Sequence, residues 1–401
     1  MAMSGSKSVR HAEPALAATR AADIAGRSSL RGALRSYGMV VALVLIWAAF
    51  EYATGGVFLR PRNFSNLIRQ TAVTGILSVG MLMVIVAGEI DLSAGSIVGL
   101  TGMIAALVQA NQAWGLAPTL LTACVLGMGI GILQGTTVAY LRVPSFIVTL
   151  GGLLAWRGVT KGVSGGVTIP VQLDSFNAIG QSYLDRPVGV VLAMVAVLCI
   201  ALIDWRSYRA RKRLGLAVPR ATIVILRVAS LAVLIAAFVA MLNEYEGIPV
   251  PVLLFLLISL AGAFVMTNTT FGRYLYATGG NREAARLSGI NTRLLTVAVF
   301  AVMGCLGALA AIVYTARVGS ASPDAGLLLE LDAIAACVIG GASLMGGSGA
   351  VFGACIGALL MASLDNGMSL KNVADYIQDI VKGGILVVAV ALDMLGRKRN
   401  S

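Results

Sequence analysis

Long apolar runs separated by short polar connections make up most of the chain. A helix of about twenty apolar residues crosses the hydrocarbon core of a bilayer, whereas the strands of a membrane barrel alternate between apolar and polar over about ten residues. The runs here are continuous and do not alternate. They lie at 38–53, 72–88, 93–110, 117–138, 144–160, 188–204, 222–242, 249–266, 294–315, 330–345, 350–365 and 379–395. The pattern predicts an all-α, polytopic membrane bundle of about 12 transmembrane helices.

The composition agrees with a chain that lies mostly in lipid. Of the 401 residues, 58% are hydrophobic and 12% are charged, and the mean hydropathy is +0.88. Soluble domains average about 45–50% apolar and about 25% charged residues. The net charge of +12 is explained better by Lys and Arg in cytoplasmic loops than by nucleic-acid binding. We therefore expect membrane lipid, and no nucleic acid, around this protein.

Polar segments divide the chain and predict its orientation. Residues 1–36 predict a disordered basic cytoplasmic tail, residues 37–396 the membrane domain and residues 397–401 a short cytoplasmic tail. No clear cleavage pattern follows the first apolar run, so we interpret it as a retained span. The basic stretch "RSYRARKRLGLAVPR" falls on the predicted cytoplasmic side, and "NEYEGIP" falls on the opposite side with two acids and no Lys or Arg. This distribution places both termini in the cytoplasm.

The sequence offers little for catalysis. The five cysteines fall inside apolar runs without paired spacing, and the one histidine, His11, belongs to the N-terminal tail. This predicts no metal site, no cofactor and no histidine-centred catalytic triad. The phosphate-loop pattern G-x-x-x-x-G-K-[ST] is also missing from the chain. We therefore expect that the protein is not an enzyme and does not itself hydrolyse nucleotides.

The segment "GEIDLSAGS" places charges inside an apolar region. Glu89 and Asp91 precede Ser93 and Ser96, and a charge at the bilayer centre costs about 2.5–3.5 kcal/mol. One interpretation is a polar break that lines a solute path. The other is a loop at the membrane face, in which Asp91 caps the following helix. Both stay open. For Glu330, Asp332, Asp365 and Asn366 we favour loop placement, and for "RPRNFSNLIRQ" an amphipathic turn at the membrane interface.

Two segments hint at an internal repeat. "EIDLSAGSIVG" and "ELDAIAACVIG" match at two acids, one alanine and one glycine, and each precedes a helix with glycines at four-residue spacing. Such rows allow close helix packing; they are Gly127, Gly131, Gly135, Gly349, Gly353 and Gly357. An inverted repeat is a transporter architecture, although glycine-rich helices also resemble one another by composition alone. Both explanations of the likeness stay open.

The stretch "ATGGNREAARLSGINTR" is polar, and the predicted topology places it in the cytoplasm. Its features are those of a capped helix, with Asn281 as N-cap, Glu283 in the first turn and Arg286 in the last, and Gly289 can end it. So short a helix is marginal in water and needs a docking surface. That surface is either its own membrane domain or a partner protein. The candidate residues are Gly280, Asn281, Arg282, Glu283, Ala284, Ala285, Arg286 and Gly289.

Four motifs in order resemble a known family. They are "GEIDLSAGSIVGLTG", "VPSFIVTLGGLLAWRG", "ATGGNREAARLSGI" and "VIGGASLMGGSGAVFGACIGALL". The chain from Asn63 to Leu395 resembles the permeases of ATP-binding-cassette importers, specifically the ribose/xylose-type sugar permeases. The additional pair of spans around the basic loop resembles the longer xylose subgroup.

The resemblance implies a permease homodimer in the bacterial inner membrane that moves a monosaccharide inward. The expected sugar is xylose or a related pentose, and the expected partners are an ATPase subunit and a periplasmic sugar-binding protein. Asn281 to Gly289 would be the coupling helix. The family usually has Gly where Glu89 stands, which makes Asp91 the better pathway candidate. Two alternatives are a proton-coupled secondary transporter that uses Glu89 and Asp91, and a membrane scaffold or channel.

Overall fold

The computed structural model describes residues 38–398, apart from residues 217 and 219. The predicted N-terminal tail and the last three residues lie outside this range. The helices are α1 Gly38–Ala53, α2 Pro61–Val86, α3 Ala94–Gln112, α4 Leu116–Leu141, α5 Ser145–Ser164, α6 Asp174–Gln181, α7 Arg186–Arg213, α8 Ala221–Asn243, α9 Val250–Asn268, α10 Thr270–Gly280, α11 Arg282–Leu287, α12 Thr292–Val318, α13 Leu329–Ile339, α14 Val351–Leu370 and α15 Asp375–Lys398. The strands are β1 Ile169–Pro170, β2 Tyr183–Leu184, β3 Ile248–Pro249 and β4 Ser320–Ala321. β1 pairs with β4 and β2 with β3, both antiparallel.

The predicted helical, polytopic membrane fold is confirmed. A helix lies in each predicted apolar run. Within the described residues, 8 helices are long and apolar enough to cross a membrane, namely α2, α3, α4, α7, α8, α9, α12 and α14. The number of crossings beyond these stays a prediction.

Two local predictions were wrong. The stretch 60–70 is not a separate interfacial turn, because α2 begins at Pro61 and already buries Leu67 and Ile68; proline suits this first helical position. The run 330–345 does not form a spanning helix. α13 has only 11 residues, about 16 Å of helix at 1.5 Å per residue, and the chain after it turns through Gly341 with φ +89°.

The two central helices, α2 and α12, run antiparallel. Gly80 of α2 faces Met303 and Leu306 of α12, so that a Cβ at Gly80 would lie 2.7 Å from the Met303 sulfur. α2 is the most enclosed of the spanning helices. This pair forms the middle of the main hydrophobic core.

A glycine-bearing helix flanks each central helix. α4, from the N-terminal half of the chain, packs on α12, and α14, from the C-terminal half, packs on α2. On α4, a Cβ at Gly127 or Gly131 would meet the carbonyl oxygen of Gly304 or Phe300 on α12, and Gly135 lies against Val297. Glycine removes the Cβ and lets helix backbones approach closely in lipid.

The second glycine row has different neighbours. Gly353 and Gly357 of α14 lie against Gly340 and Ala336, at the end of α13. Gly349 lies before α14, with φ +156° and Leu82 beside it. This row packs α14 against α13, whereas the first row packs α4 against α12.

The core is crossed, because a helical hairpin from each half of the chain packs on the central helix of the other half. The inverted repeat itself stays a prediction. The hairpin of α3 and α4 packs against α12, and the hairpin of α13 and α14 packs against α2. The two matched segments also meet, because a Cβ at Gly95 would collide with the Glu330 carboxylate. The helix pair α7 and α8 lies outside this crossed core, with few buried side chains of its own.

Candidate functional site: the α11 helix and a buried polar break

The stretch that predicted a short capped helix folds as α11. The Asn281 side-chain oxygen accepts a hydrogen bond from the Ala284 N–H at 2.9 Å. Glu283 and Arg286 form an ion pair at 2.8 Å, and Gly289 ends the segment with φ +87°. Acidic and basic residues thus stand at the ends that the helix dipole favours. Gly280 is the last residue of α10.

One face of α11 docks on its own membrane domain. Arg282 binds the Glu89 carboxylate at 2.5 Å and donates to the Thr296 hydroxyl at 3.2 Å, and Ala285 is buried. Glu89 is itself buried, at 6% exposure. A buried carboxylate that keeps an arginine partner avoids the large cost of an unpaired charge.

The other face of α11 lies in solvent. Glu283 and Arg286 each expose 66% of their side chains, and Leu287 is 79% exposed. The exposed face of α11 thus combines an apolar side chain with two charged ones.

Close glycine contacts surround the chain just before α11, where it meets the end of α2 and the 340–350 loop. Gly279 lies against the Val86 carbonyl at the end of α2, and the N–H of Gly347 donates to that carbonyl at 2.9 Å. Gly346 has φ +86°, and a Cβ there would lie 2.9 Å from Gly88. The end of α2, the end of α10 and the 340–350 loop therefore meet with their backbones in contact.

A cavity of about 430 Å³ opens beside α11 and the turn between α4 and α5. Its lining combines four arginines and two glutamates with small and apolar residues. The lining residues are Glu89, Val138, Ala139, Arg142, Val143, Pro144, Ser145, Arg282, Glu283, Arg286, Thr292 and Arg293. The surface beside α11 is therefore electropositive.

The segment between α2 and α3, residues 87–93, is a buried polar break. The Asp91 carboxylate accepts hydrogen bonds from the Ser93 N–H at 2.8 Å and the Ser93 hydroxyl at 2.6 Å. The Gln134 amide of α4 donates to the Ser93 hydroxyl at 2.9 Å, and Ser96 donates to the Leu153 carbonyl at 2.9 Å. Asp91 thus forms an i to i+2 turn with Ser93, the residue before α3, and does not cap the helix itself.

Several polar atoms near this break have no hydrogen-bond partner among the described residues. They are the second Asp91 oxygen, Trp156 Nε1, Arg157 Nη2 and one Glu330 carboxylate oxygen. Trp156 Nε1 and Ser93 both border Gly152, since a Cβ there would lie 3.0 Å from the former and 3.2 Å from the latter. Buried polar atoms usually find partners, so this interior region has unused hydrogen-bonding capacity.

The favoured loop placement of the later acids was wrong. Glu330 and Asp332 are buried in the first turn of α13, and Asp365 and Asn366 lie within α14. Lys382 of α15 binds Asp332 at 3.3 Å and Asp365 at 3.2 Å. Asn366 is buried and pairs with Asn63 of α2. Short apolar runs bordered by acids suggested loops, but these side chains form polar contacts inside the bundle.

Sequence reasoning did not single out Gln134, Trp156 or Lys382. Gln134 could have been noticed as an amide inside an otherwise apolar glycine-bearing helix. The pairing of Lys382 with Asp332 spans 50 residues, and no local pattern indicates it.

Comparisons with known proteins identify the family. Residues 63–390 match the family model described as "Branched-chain amino acid transport system / permease component". The chain is 46% identical over 388 residues to the xylose transport system permease protein XylH of Escherichia coli strain K12, covering 97% of this chain and 98% of that protein. It is 46% identical over 368 residues to XylH of Haemophilus influenzae, covering 91% and 98%. No solved structure matches.

A third relative extends the group. The ribose import permease protein RbsC of Escherichia coli strain K12 is 34% identical over 356 residues, covering 88% of this chain and 92% of that protein. The family match and these three relatives all describe permease subunits of transport systems, and each spans most of this multi-pass helical chain. The chain therefore belongs to this permease family and is a ribose/xylose-type sugar permease of an ATP-binding-cassette importer.

Proposed function

We propose that this permease carries xylose or a related pentose inward across the bacterial inner membrane, with both termini in the cytoplasm. The observation that supports the sugar most directly is the near full-length identity of 46% to the xylose permease, against 34% to the ribose permease. The family description mentions branched-chain amino acids, but these relatives are sugar permeases by name. The proton-coupled alternative finds no support in this family.

In this proposal α11, with its cap Asn281 and its end Gly289, is the coupling helix for a separate ATPase subunit. Two features support the role. The inner face is held by Arg282 and Ala285, and the outer face presents Glu283 and Leu287 to solvent. A helix fixed on one side and exposed on the other can pass a movement of a bound partner to the glycine contacts at the ends of α2 and α10.

The proposed assembly is a permease homodimer with ATPase subunits below and a periplasmic sugar-binding protein above. Large apolar side chains on α5 are exposed, including Phe146, Ile147 and Leu154. In a membrane these faces need lipid or a second copy of the chain against them. The homodimer and its lipid surroundings account for this surface.

For the sugar path we propose Asp91, Ser93 and Ser96, together with the polar atoms around them that lack partners. Sugars present many hydroxyl groups, and carboxylate, amide and indole groups can hydrogen-bond to them. Glu89, also a pathway candidate, is engaged by Arg282. We propose that Glu89 holds the coupling helix in place.

The test of the coupling role is affinity purification of tagged permease from mild detergent. Wild type should co-purify an ATPase, and Glu283→Arg should lose it while remaining folded, because Glu283 is exposed and its reversal costs the fold little. Glu244→Arg is the matched control, an exposed acid on the predicted outer side. ATPase recovery and uptake at wild-type levels in Glu283→Arg would contradict the role of α11.

The test of the path is sugar uptake by Asp91→Asn. This variant keeps the shape of the side chain and removes its charge, so uptake of labelled xylose should fall about tenfold or more while the permease still assembles with the ATPase. Asp174→Asn, an exposed acid at the start of α6, should transport normally. Unchanged uptake in Asp91→Asn would leave Asp91 only its turn-forming contact with Ser93.

A further inference from the structure

The cavity beside α11 joins the helix to a second element of the permease. One wall is α11 itself and the start of α12, and the opposite wall is the end of α4 and the turn into α5. The cavity opens on the same surface as the exposed residues Glu283 and Arg286. A protein that docks on α11 therefore reaches the turn between α4 and α5 as well.

The charges around this cavity are unbalanced. Glu89 is paired with Arg282, and Glu283 with Arg286. Arg142 and Arg293 also line the cavity, and both are exposed. Among the residues that the structure describes, neither has an ion-pair partner. Two arginines thus remain whose charges no carboxylate of the described chain compensates.

The backbone holds both arginines at the cavity. Arg142 follows the last residue of α4 with φ +58°, a left-handed conformation that fixes the direction of the chain there. Arg293 lies in the first turn of α12, and its guanidinium lies 5.8 Å from the centre of the Tyr140 ring. The fold therefore sets the backbone position of both arginines at the cavity, and the Tyr140 ring lies beside the Arg293 guanidinium.

We propose that this cavity receives an acidic side chain of the ATPase subunit, bound by Arg142 and Arg293. The proposal rests on the coupling role of α11 and adds a second contact to it. Arginine suits the role, because its planar guanidinium binds carboxylates through two parallel hydrogen bonds. The occupant is a carboxylate on a protein, since the cavity shares its surface with a helix that presents an exposed leucine.

The second contact connects the ATPase to the buried polar break by a short route. Ser145, which lines the cavity, accepts a hydrogen bond from the Ile90 N–H at 3.2 Å, inside the segment 87–93. Thr149, one turn further along α5, donates to the Ile90 carbonyl at 3.2 Å. A movement of the turn between α4 and α5 therefore reaches the residues beside Asp91 without passing through α11.

The experiment uses the ATPase subunit that co-purifies with the permease. It measures the affinity of this subunit for permease reconstituted in nanodiscs of neutral phosphatidylcholine. The double variant Arg142→Glu/Arg293→Glu is compared with Arg209→Glu/Arg213→Glu, the same charge change on exposed arginines at the end of α7. We expect Kd to rise about tenfold or more in the cavity variant, against less than about twofold in the control. The salt dependence of binding should also fall in the cavity variant.

Folding is checked separately, by gel filtration and by the unfolding midpoint of each variant. Arg142→Gln/Arg293→Gln, which removes charge without reversing it, should give an intermediate Kd. Replacing the acidic ATPase residue that enters the cavity by lysine should restore binding to the Arg142→Glu/Arg293→Glu permease.

The outcomes separate this inference from the proposed function. If the cavity variants bind like wild type while Glu283→Arg does not bind, the inference is overturned and the coupling role of α11 stands. If Glu283→Arg also binds normally, both fail. If binding weakens only in nanodiscs that contain anionic phosphatidylglycerol, the cavity takes a lipid phosphate and the inference is overturned.

Discussion

The segments 87–93 and 281–289 are two polar interruptions of similar length in an apolar chain, and they have opposite environments. In the first, Glu89, Asp91 and Ser93 are buried. In the second, Ala285 is the only residue buried. The ion pair of Glu89 with Arg282 joins them. Polarity therefore marks an interruption of the membrane pattern in both segments, and burial separates the candidate solute path from the candidate docking surface.

The largest effect on stability should come from filling space in the buried segment. Gly152→Leu places a side chain where Gln134, Trp156 and Ser93 already meet, and overpacking of this kind costs about 1–3 kcal/mol or more. The neighbouring Gly151 has no atom within 4 Å of a built Cβ, so Gly151→Leu is the control. The fraction of monodisperse protein in detergent and the unfolding midpoint measure the difference. Equal behaviour of both variants would mean that the buried segment is not closely packed.

The next largest effect should come from the ion pair that joins the two segments. Arg282→Glu leaves the buried Glu89 without its partner and beside a second negative charge. Because Arg282 is about half exposed, we expect the free energy of unfolding to fall by about 1–3 kcal/mol. Glu89→Arg should be similarly destabilised. The double exchange Glu89→Arg/Arg282→Glu should recover part of the unfolding midpoint in thermal denaturation. A double variant no better than the sum of the single ones would argue against a direct interaction.

A smaller and local effect is expected at the cap of α11. Asn281→Ala removes the acceptor of the Ala284 N–H, which costs about 1 kcal/mol of helix stability. Amide hydrogen exchange at Ala284 and Ala285 should therefore accelerate about fivefold, while exchange in α2 and α12 stays the same. Ser288→Ala, at the other end of the helix, serves as the comparison. Unchanged exchange after loss of the cap would mean that contacts with the membrane domain alone keep α11 folded.

The smallest effect on stability should come from the exposed face. Leu287→Gln changes a side chain that is 79% exposed, so the free energy of unfolding of the permease should change by less than about 0.5 kcal/mol. Affinity for the ATPase should fall measurably, because an exposed leucine contributes to an interface only when a partner covers it. A clear loss of stability in the isolated permease would show that Leu287 already packs against its own chain.

Much of the fold was predictable, because lipid imposes a local rule. The bilayer core offers no water to backbone N–H and C=O groups, so each spanning segment must satisfy its own backbone as a helix. The apolar runs therefore predicted the helices, and Asn281 and Gly289 predicted the limits of α11. The same reasoning went wrong for α13, because hydropathy measures apolar length and does not register the turn through Gly341.

The candidate site was predictable only in part. The polar segments drew attention to Glu89 and Asp91, but their contacts with Arg282 and Gln134 depend on helices distant in the sequence. Glu89 and Arg282 are 193 residues apart. The favoured loop placement of Asp332 failed for the same reason, since Lys382, its partner, comes from another helix.

Local sequence patterns established the helical membrane class, the approximate positions of the apolar helices and the presence of a capped polar helix between α10 and α12, but not α6 or α10. These follow from interactions within a few residues of the chain, namely backbone hydrogen bonding and capping. Three features become visible only in the folded chain: α4 packs on α12 and α14 on α2, Glu89 binds Arg282, and Arg142 and Arg293 share a cavity. Those contacts depend on how helices far apart in the sequence pack, and side-chain packing at close range sets that arrangement.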